Sequence, residues 1–150
     1  YESDDAFDGA CMTTPRTLLG FDFGLKNIGV AVGQELTGTA SGIAVIKARD
    51  GIPDWNDIKK VIEQWQPQLL IVGLPFNMDG TEQEMTAACR KFGNRLNGRF
   101  QLPVEWQDER LSTYEALEQL GIRDKMHSKR RGDVDRISAQ LILQSWLNQQ

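Results

Sequence analysis

Thr17-Leu18-Leu19-Gly20-Phe21-Asp22-Phe23-Gly24-Leu25-Lys26-Asn27-Ile28-Gly29-Val30-Ala31-Val32 is the stretch on which the fold turns. Its first part is apolar and of strand length, and it reads as a buried strand over about residues 17–23. Asp22 sits inside that run. A carboxylate there loses hydration and stays charged only when a cation or hydrogen-bond donors hold it. Gly24-Leu25-Lys26 then turns the chain into a second apolar strand, about residues 27–33. A strand with an acid at its end, folded back by a tight glycine turn, presents one carboxylate to a metal or a phosphate.

A third strand, about 38–47, follows the Leu36-Thr37-Gly38 turn. Such short connections imply antiparallel neighbours. Pro53-Asp54 opens a helix in which Trp55, Ile58, Ile62 and Trp65 recur at helical spacing, and Pro67 ends it. Leu69 to Leu74 is a short apolar run of strand character. Thr81-x-x-Glu84 reads as a capping box for a helix that turns Met85, Ala88, Phe92 and Leu96 inward and stops near Asn97-Gly98. Pro103 to Trp106 is a fifth strand. Ser112-x-x-Glu115 caps a further helix that stops near Gly121, and the last helix runs from about Val134 to Leu147 with Ile137, Leu141 and Ile142 inward. The order βββαβαβαα predicts one mixed sheet with helices on its faces. The Trp55 and Trp65 pair reads as core.

The 150 residues suffice for one domain with its own core, and the composition, 40% hydrophobic and 25% charged, is that of a globular protein. No apolar run reaches the length of a membrane span. Residues 1–11 begin without Met and lack apolar pattern, so they read as an appended remnant, with a native acidic arm as the other reading. A single domain would then occupy residues 12–150. The net charge is −4, but Glu2, Asp4, Asp5 and Asp8 all fall in the remnant, which holds no base. Residues 12–150 are thus balanced, with 17 bases and 17 acids, and the apparent acidity does not exclude a nucleic-acid partner. Cys11 lies in the remnant, and Cys89 then stands alone on the apolar side of a helix. One leftover thiol builds neither a disulfide framework nor a zinc site, and the single His127 gives it no evident catalytic partner.

Three acids stand out by position: Asp22 near the end of the first strand, Glu109 after the fifth, and Asp135 at the start of the last helix. Strand ends and helix starts are where an α/β sheet places its site. Carboxylates meeting at one point repel one another unless protons or divalent cations intervene. Oxygen-only ligands suit Mg2+ or Mn2+. Two such ions about 4 Å apart activate a water and stabilise the leaving oxygen in phosphodiester cleavage. Each acid also has an ordinary structural reading. Asp22 would bond turn amides, Glu109 would pair with Arg110 or a neighbour on the surface, and Asp135 would complement the helix dipole. Asp133 reads as the N-cap of the last helix, Asp79 as a turn acid beside Gly80, and Asp108 as either a metal-site support or a helix cap.

Basic residues cluster twice. Arg123, Lys125, Lys129, Arg130 and Arg131 form a loop fit to hold a phosphate backbone, or simply a solvated segment. Lys91, Arg95 and Arg99 recur four apart near a helix C-terminus, where dipole compensation alone would account for them. Trp106 would stack on a base or fill the core.

The stretch Phe21 to Val32 resembles the opening motif of the bacterial YqgF family, also called RuvX, described as pre-16S rRNA nucleases or Holliday junction resolvase-like proteins. Val72-Gly73-Leu74-Pro75-Phe76-Asn77-Met78-Asp79-Gly80-Thr81 is similar to its second motif, Asp108-Glu109-Arg110-Leu111-Ser112-Thr113 to its third and Val134-Asp135-Arg136-Ile137-Ser138-Ala139 to its last. The resemblance spans about residues 17–147. It implies an RNase H-like fold with a five-stranded mixed sheet, order 3-2-1-4-5, and helices on both faces. It implies a cytoplasmic nuclease using Mg2+ or Mn2+, held by Asp22, Glu109 and Asp135, in the 5′-end maturation of precursor 16S rRNA. Lys26, Arg110 and the basic residues 123–131 would meet the nucleic acid, free or within ribosomal particles. The chain departs from the family pattern at Leu25, where a small or hydroxylated residue is usual, and at Arg136, which sets a cation beside a proposed metal ligand.

Other classes fit parts of the pattern. A Holliday junction resolvase-like DNA endonuclease would use the same acids. A non-catalytic RNA-binding factor would keep the basic loop and leave the acids structural. The Asp-x-Gly hairpin is also similar to the phosphate-binding hairpin of actin and sugar kinases, but the chain is short for two such domains and lacks an evident adenosine motif.

Overall fold

The computed structural model describes residues 15–75, 79–82, 84–108 and 131–150, with side chains from residue 134 onward in the last segment. The hairpin sequence folds as its pattern requires. β1 (Thr17–Asp22), β2 (Asn27–Gln34) and β3 (Thr39–Arg49) form an antiparallel meander in which Thr17 pairs with Gln34, Asp22 with Gly29 and Asn27 with Lys47. The chain then makes β4 (Ile52–Pro53), α1 (Trp55–Trp65), β5 (Leu69–Leu74), α2 (Glu84–Phe100), β6 (Val104–Asp108) and α3 (Arg131–Asn148). β5 runs parallel to β1, and β6 parallel to β5. The described sheet has six strands in the order β4-β3-β2-β1-β5-β6.

The five long strands keep the expected order 3-2-1-4-5, and the correction is the extra β4. Asp50 and Gly51 adopt φ of 52° and 81° between the paired residues Arg49 and Ile52. Two successive positive φ angles in a two-residue loop are what a tight hairpin turn needs, and Asp-Gly favours it. Pro53 lacks a donor and is tolerated on an edge strand.

Two cores lie on opposite faces of the sheet. Leu19, Phe21, Val30 and Val72 meet Ile58 of α1 and Phe92 and Leu96 of α2. Leu18, Ala31 and Ile71 meet Ala139, Ile142, Leu143 and Trp146 of α3. Strands buried on both faces read as continuous apolar runs, as β1 and β5 do. Trp55 packs on the first core as expected, its ring stacked 6.0 Å from Phe92. Cys89 is buried on the same side.

α3 lies flat on the first three strands because glycines clear its path. A Cβ on Gly20 would come within 2.8 Å of the Leu143 Cβ, one on Gly33 within 2.8 Å of Leu143 Cδ2, and one on Gly42 within 2.6 Å of the Arg136 carbonyl oxygen. This contact sets the inward face of α3 and corrects the expected one. Ser138, Ala139, Ile142, Leu143 and Trp146 are buried, whereas Ile137 and Leu141 are only half-buried. Two glutamines of α3 also serve β3 where it has a strand neighbour on one side only. Gln144 Oε1 accepts from the Ala40 amide and Gln140 Oε1 from the Gly42 amide, each at 3.0 Å.

Two helix ends differ from expectation. α2 passes through Asn97-Gly98 to Phe100, and the chain leaves it at Gln101 with φ 56°. Among the described residues α2 runs from Glu84, and the described bonds of Thr81 are those of a turn: its amide and hydroxyl both donate to Asp79 Oδ1, at 2.9 and 2.7 Å. Asp79 is thus the turn acid expected. α3 begins at Arg131, so Asp133 lies inside the helix rather than at its N-cap. The helix expected after Ser112 falls outside the described residues.

Candidate active site

Strand alternation decides which way Asp22 faces. Leu18 belongs to the core under α3, and a Cβ on Gly20 would meet Leu143 of α3. Asp22 shares their parity and so faces α3 at the C-terminal end of β1. Its cross-strand partner is Gly29, whose Cβ direction points to the same face. A Cβ on Gly29 would stand 2.0 Å from the Asp135 carbonyl oxygen. The sheet end that carries Asp22 is therefore the place where Asp135 of α3 lies down on it. Both acids are half-buried.

Asp135 is the fifth residue of α3, beyond the first turn in which helix-dipole compensation operates. The dipole reading of this acid weakens accordingly. Two carboxylates brought to one point would repel, and a hard cation would relieve that repulsion. Asp22 and Asp135 offer oxygen donors only, so the donor set fits Mg2+ or Mn2+. Among the described residues no group of three or more acids, histidines or cysteines gathers around one point. Glu109, the third expected ligand, falls outside the described residues, directly after the last residue of β6.

Asp108 is exposed and pairs in register with Leu74 of the α1–α2 core, on the face opposite Asp22. It is therefore displaced from the Asp22–Asp135 end. Lys26 is exposed in the turn between β1 and β2, where its carbonyl accepts from the Ala48 amide at 2.8 Å. Arg110, Arg123, Lys125, Lys129 and Arg130 fall outside the described residues, and Arg131 is placed only as the first residue of α3. Arg136, the cation beside the proposed ligand, is half-buried with its carbonyl over Gly42. Arg99, one of the three basic residues on α2, sets its guanidinium 4.3 Å from the Trp55 ring centroid. This stacking, rather than the helix dipole alone, accounts for its position. Trp106 is 37% exposed, with its ring against Gly93 of α2.

Gly29 carries a positional role that the sequence reading passed over. Its signal was an isolated glycine in an apolar strand, which marks close approach of another backbone.

A model of the family described as "RuvX: Holliday junction resolvase" matches residues 16–149. A protein of Glaesserella parasuis is 60% identical over 90% of this chain and 98% of its own length, and one of Aeromonas hydrophila 58% identical over 90% and 96%. Both bear the name "Putative pre-16S rRNA nuclease". Among solved structures, T. thermophilus RuvC in complex with Holliday junction substrate superposes with a TM-score of 0.53 at 16% identity, covering 89% of this chain and 94% of that one. The fowlpox virus Holliday junction resolvase gives 0.56 at 14% identity, covering 89% and 99%. At such identities the two structures establish the shared RNase H-like fold.

Proposed function

Because this chain belongs to the RuvX family, we propose that it is a divalent-metal-dependent nuclease that hydrolyses phosphodiester bonds in the 5′-end maturation of precursor 16S rRNA. The observation that carries the reading is the meeting of Asp22 and Asp135 at Gly29. These two carboxylates hold the metal and fix its place at the sheet end. Glu109 is the proposed third ligand. Bound between these acids, Mg2+ or Mn2+ would supply the Lewis acidity that activates water and offsets charge on the leaving oxygen.

The chain's own cations then handle the polyanion. Lys26 projects from the turn next to Asp22, and Arg110, Arg123, Lys125, Lys129, Arg130 and Arg131 are proposed to engage the phosphate backbone. Such a substrate places the work in the cytoplasm, on rRNA free or within ribosomal particles. None of the described helices is long and apolar enough to cross a membrane.

A second reading, cleavage of a four-way DNA junction, is favoured by the fold shared with RuvC and the fowlpox enzyme. One experiment separates the two. Wild type and Asp22→Asn are compared on precursor 16S rRNA and on a four-way DNA junction, with Mg2+, Mn2+ and EDTA. The account expects rRNA cleavage that needs metal and Asp22. Preference for the junction would transfer the activity to DNA, and EDTA-resistant cleavage independent of Asp22 would overturn the site.

A further inference from the structure

On the far side of the sheet end from Asp135, the β1–β2 turn, the β3–β4 turn and α2 enclose a cleft of about 220 Å³. Phe23, Leu25 and Ile52 give it an apolar wall, and Lys91 and Arg95 of α2 a cationic one, with Asp50 between. We propose that this cleft binds a single-stranded segment of polynucleotide flanking the cleaved bond, with a base on Leu25 and Ile52 and phosphate on Lys91 and Arg95. The ligand class rests on the nuclease reading; the cleft itself rests on the packing of its two turns and the charge of its helical wall.

Leu25 is 50% exposed and Ile52 56% exposed, and both turn toward one hollow rather than standing singly. Backbone bonds build that hollow in advance. The Gly51 amide donates to the Leu25 carbonyl at 3.0 Å, and the Ala48 amide to the Lys26 carbonyl at 2.8 Å. At Gly51 even a Cβ would approach Phe23 Cζ to 3.1 Å and Leu25 Cδ2 to 3.2 Å. The two turns therefore hold each other. Lys91 and Arg95 stand four apart and so share one helix face. Neither is ion-paired to any described residue. Two cations against one carboxylate favour an anion, and an adjoining apolar wall favours an anion that carries a flat, apolar part. A nucleotide combines the two; where single-strand binding surfaces usually pair aromatic stacking platforms with backbone cations, this cleft offers aliphatic side chains for contact with a base. Phe23 follows Asp22 directly, so the cleft opens across the strand end from the proposed chemistry.

The test is fluorescence anisotropy of a short labelled single-stranded RNA in EDTA, where no cleavage intervenes. Lys91→Glu/Arg95→Glu is expected to raise Kd about tenfold or more and to reduce the salt slope by about 1.4, the share of two single-strand phosphates. Ile52→Ser is expected to weaken binding severalfold with the slope unchanged. The control is Lys59→Glu/Lys60→Glu on exposed positions of α1, expected to bind as wild type does. Thermal melting verifies each fold, and Arg95→Ala replaces the double variant if that variant does not fold. Wild-type affinity in the cleft variants, or an equal loss in the α1 control, overturns the proposal. That outcome leaves metal-dependent cleavage through Asp22 intact, whereas a wild type that cleaves neither RNA nor DNA with Mg2+ or Mn2+ overturns the nuclease reading and leaves the binding result standing.

Discussion

Gly29 stands across the β1–β2 ladder from Asp22 and directly beneath Asp135, whose carbonyl oxygen would lie 2.0 Å from any Cβ placed there. One hydrogen in place of a side chain thus lets the α3 backbone at Asp135 come down on the strand residue that faces Asp22, more than a hundred residues away in sequence. Gly29→Ala must push α3 away from the sheet, because the obstructing atom is backbone. The expected outcome is a stability loss of about 1–3 kcal/mol together with loss of metal-dependent cleavage. Gly33→Ala is the comparison, since there the nearest atoms belong to the side chains of Leu143 and Leu147. It should lower stability while retaining most activity. Melting temperatures and initial rates of both variants, measured side by side, check the difference.

Asp135→Asn keeps the shape of the side chain and removes its charge. It should weaken Mn2+ binding at least tenfold, about 1.4 kcal/mol, while the variant stays folded in a metal-free melt. Titration calorimetry with Mn2+ and a metal-free melt provide the two readings.

Gln140 and Gln144 tie α3 to β3 through the Gly42 and Ala40 amides, and Gln144 Nε2 also donates to the Gly38 carbonyl at 2.8 Å. Gln144→Ala removes two of these bonds at about 1 kcal/mol each. Amide hydrogen exchange should quicken at Ala40 first. Unchanged exchange there would show that the glutamine contact contributes nothing to holding the edge.

At the opposite end of β1, Arg16 donates to both oxygens of Glu35, from Nε at 3.0 Å and from Nη2 at 2.9 Å. Hydrogen bonds from the Arg16 side chain, against the opposing effect of burial, hold the Glu35 carboxyl below its ordinary value. The same hydrogen bond raises Arg16, which is charged at any working pH. Because the folded Glu35 value is depressed, its stabilisation is complete above the unfolded carboxylate pKa, about 4.3, and is lost as pH falls through the folded value. The Arg16 side chain is 41% exposed, so solvent screening limits the pair to roughly 0.2–1 kcal/mol. Glu35→Gln should therefore melt slightly lower than wild type at neutral pH, and the gap should close in acid below about pH 4.

How much the sequence revealed depends on which forces act locally. The place of Asp22 at the end of a buried strand was legible because that run is apolar throughout, and the meander was legible from its short glycine turns. β4 was missed because two residues leave no periodicity, although Asp50-Gly51 carried the turn signal. The end of α2 was misplaced because Gly98 costs a helix less than the tertiary contacts of its last turn return, and Gln101 took the left-handed position instead. The inward face of α3 was misjudged because it is chosen by the glycines of the sheet, not by the helix's own most apolar positions. Asp135 was picked out by its position near a helix start, yet its meeting with Asp22 depends on Gly29, a contact between segments remote in sequence.

The most direct test is the rate of Mn2+-dependent cleavage of precursor 16S rRNA by wild type, Asp22→Asn and Asp135→Asn, all shown to be folded. The account predicts that each substitution lowers the rate by orders of magnitude and that the double variant is little worse than either alone, since the two acids act as one unit. Cleavage at the wild-type rate by either folded single variant would contradict it.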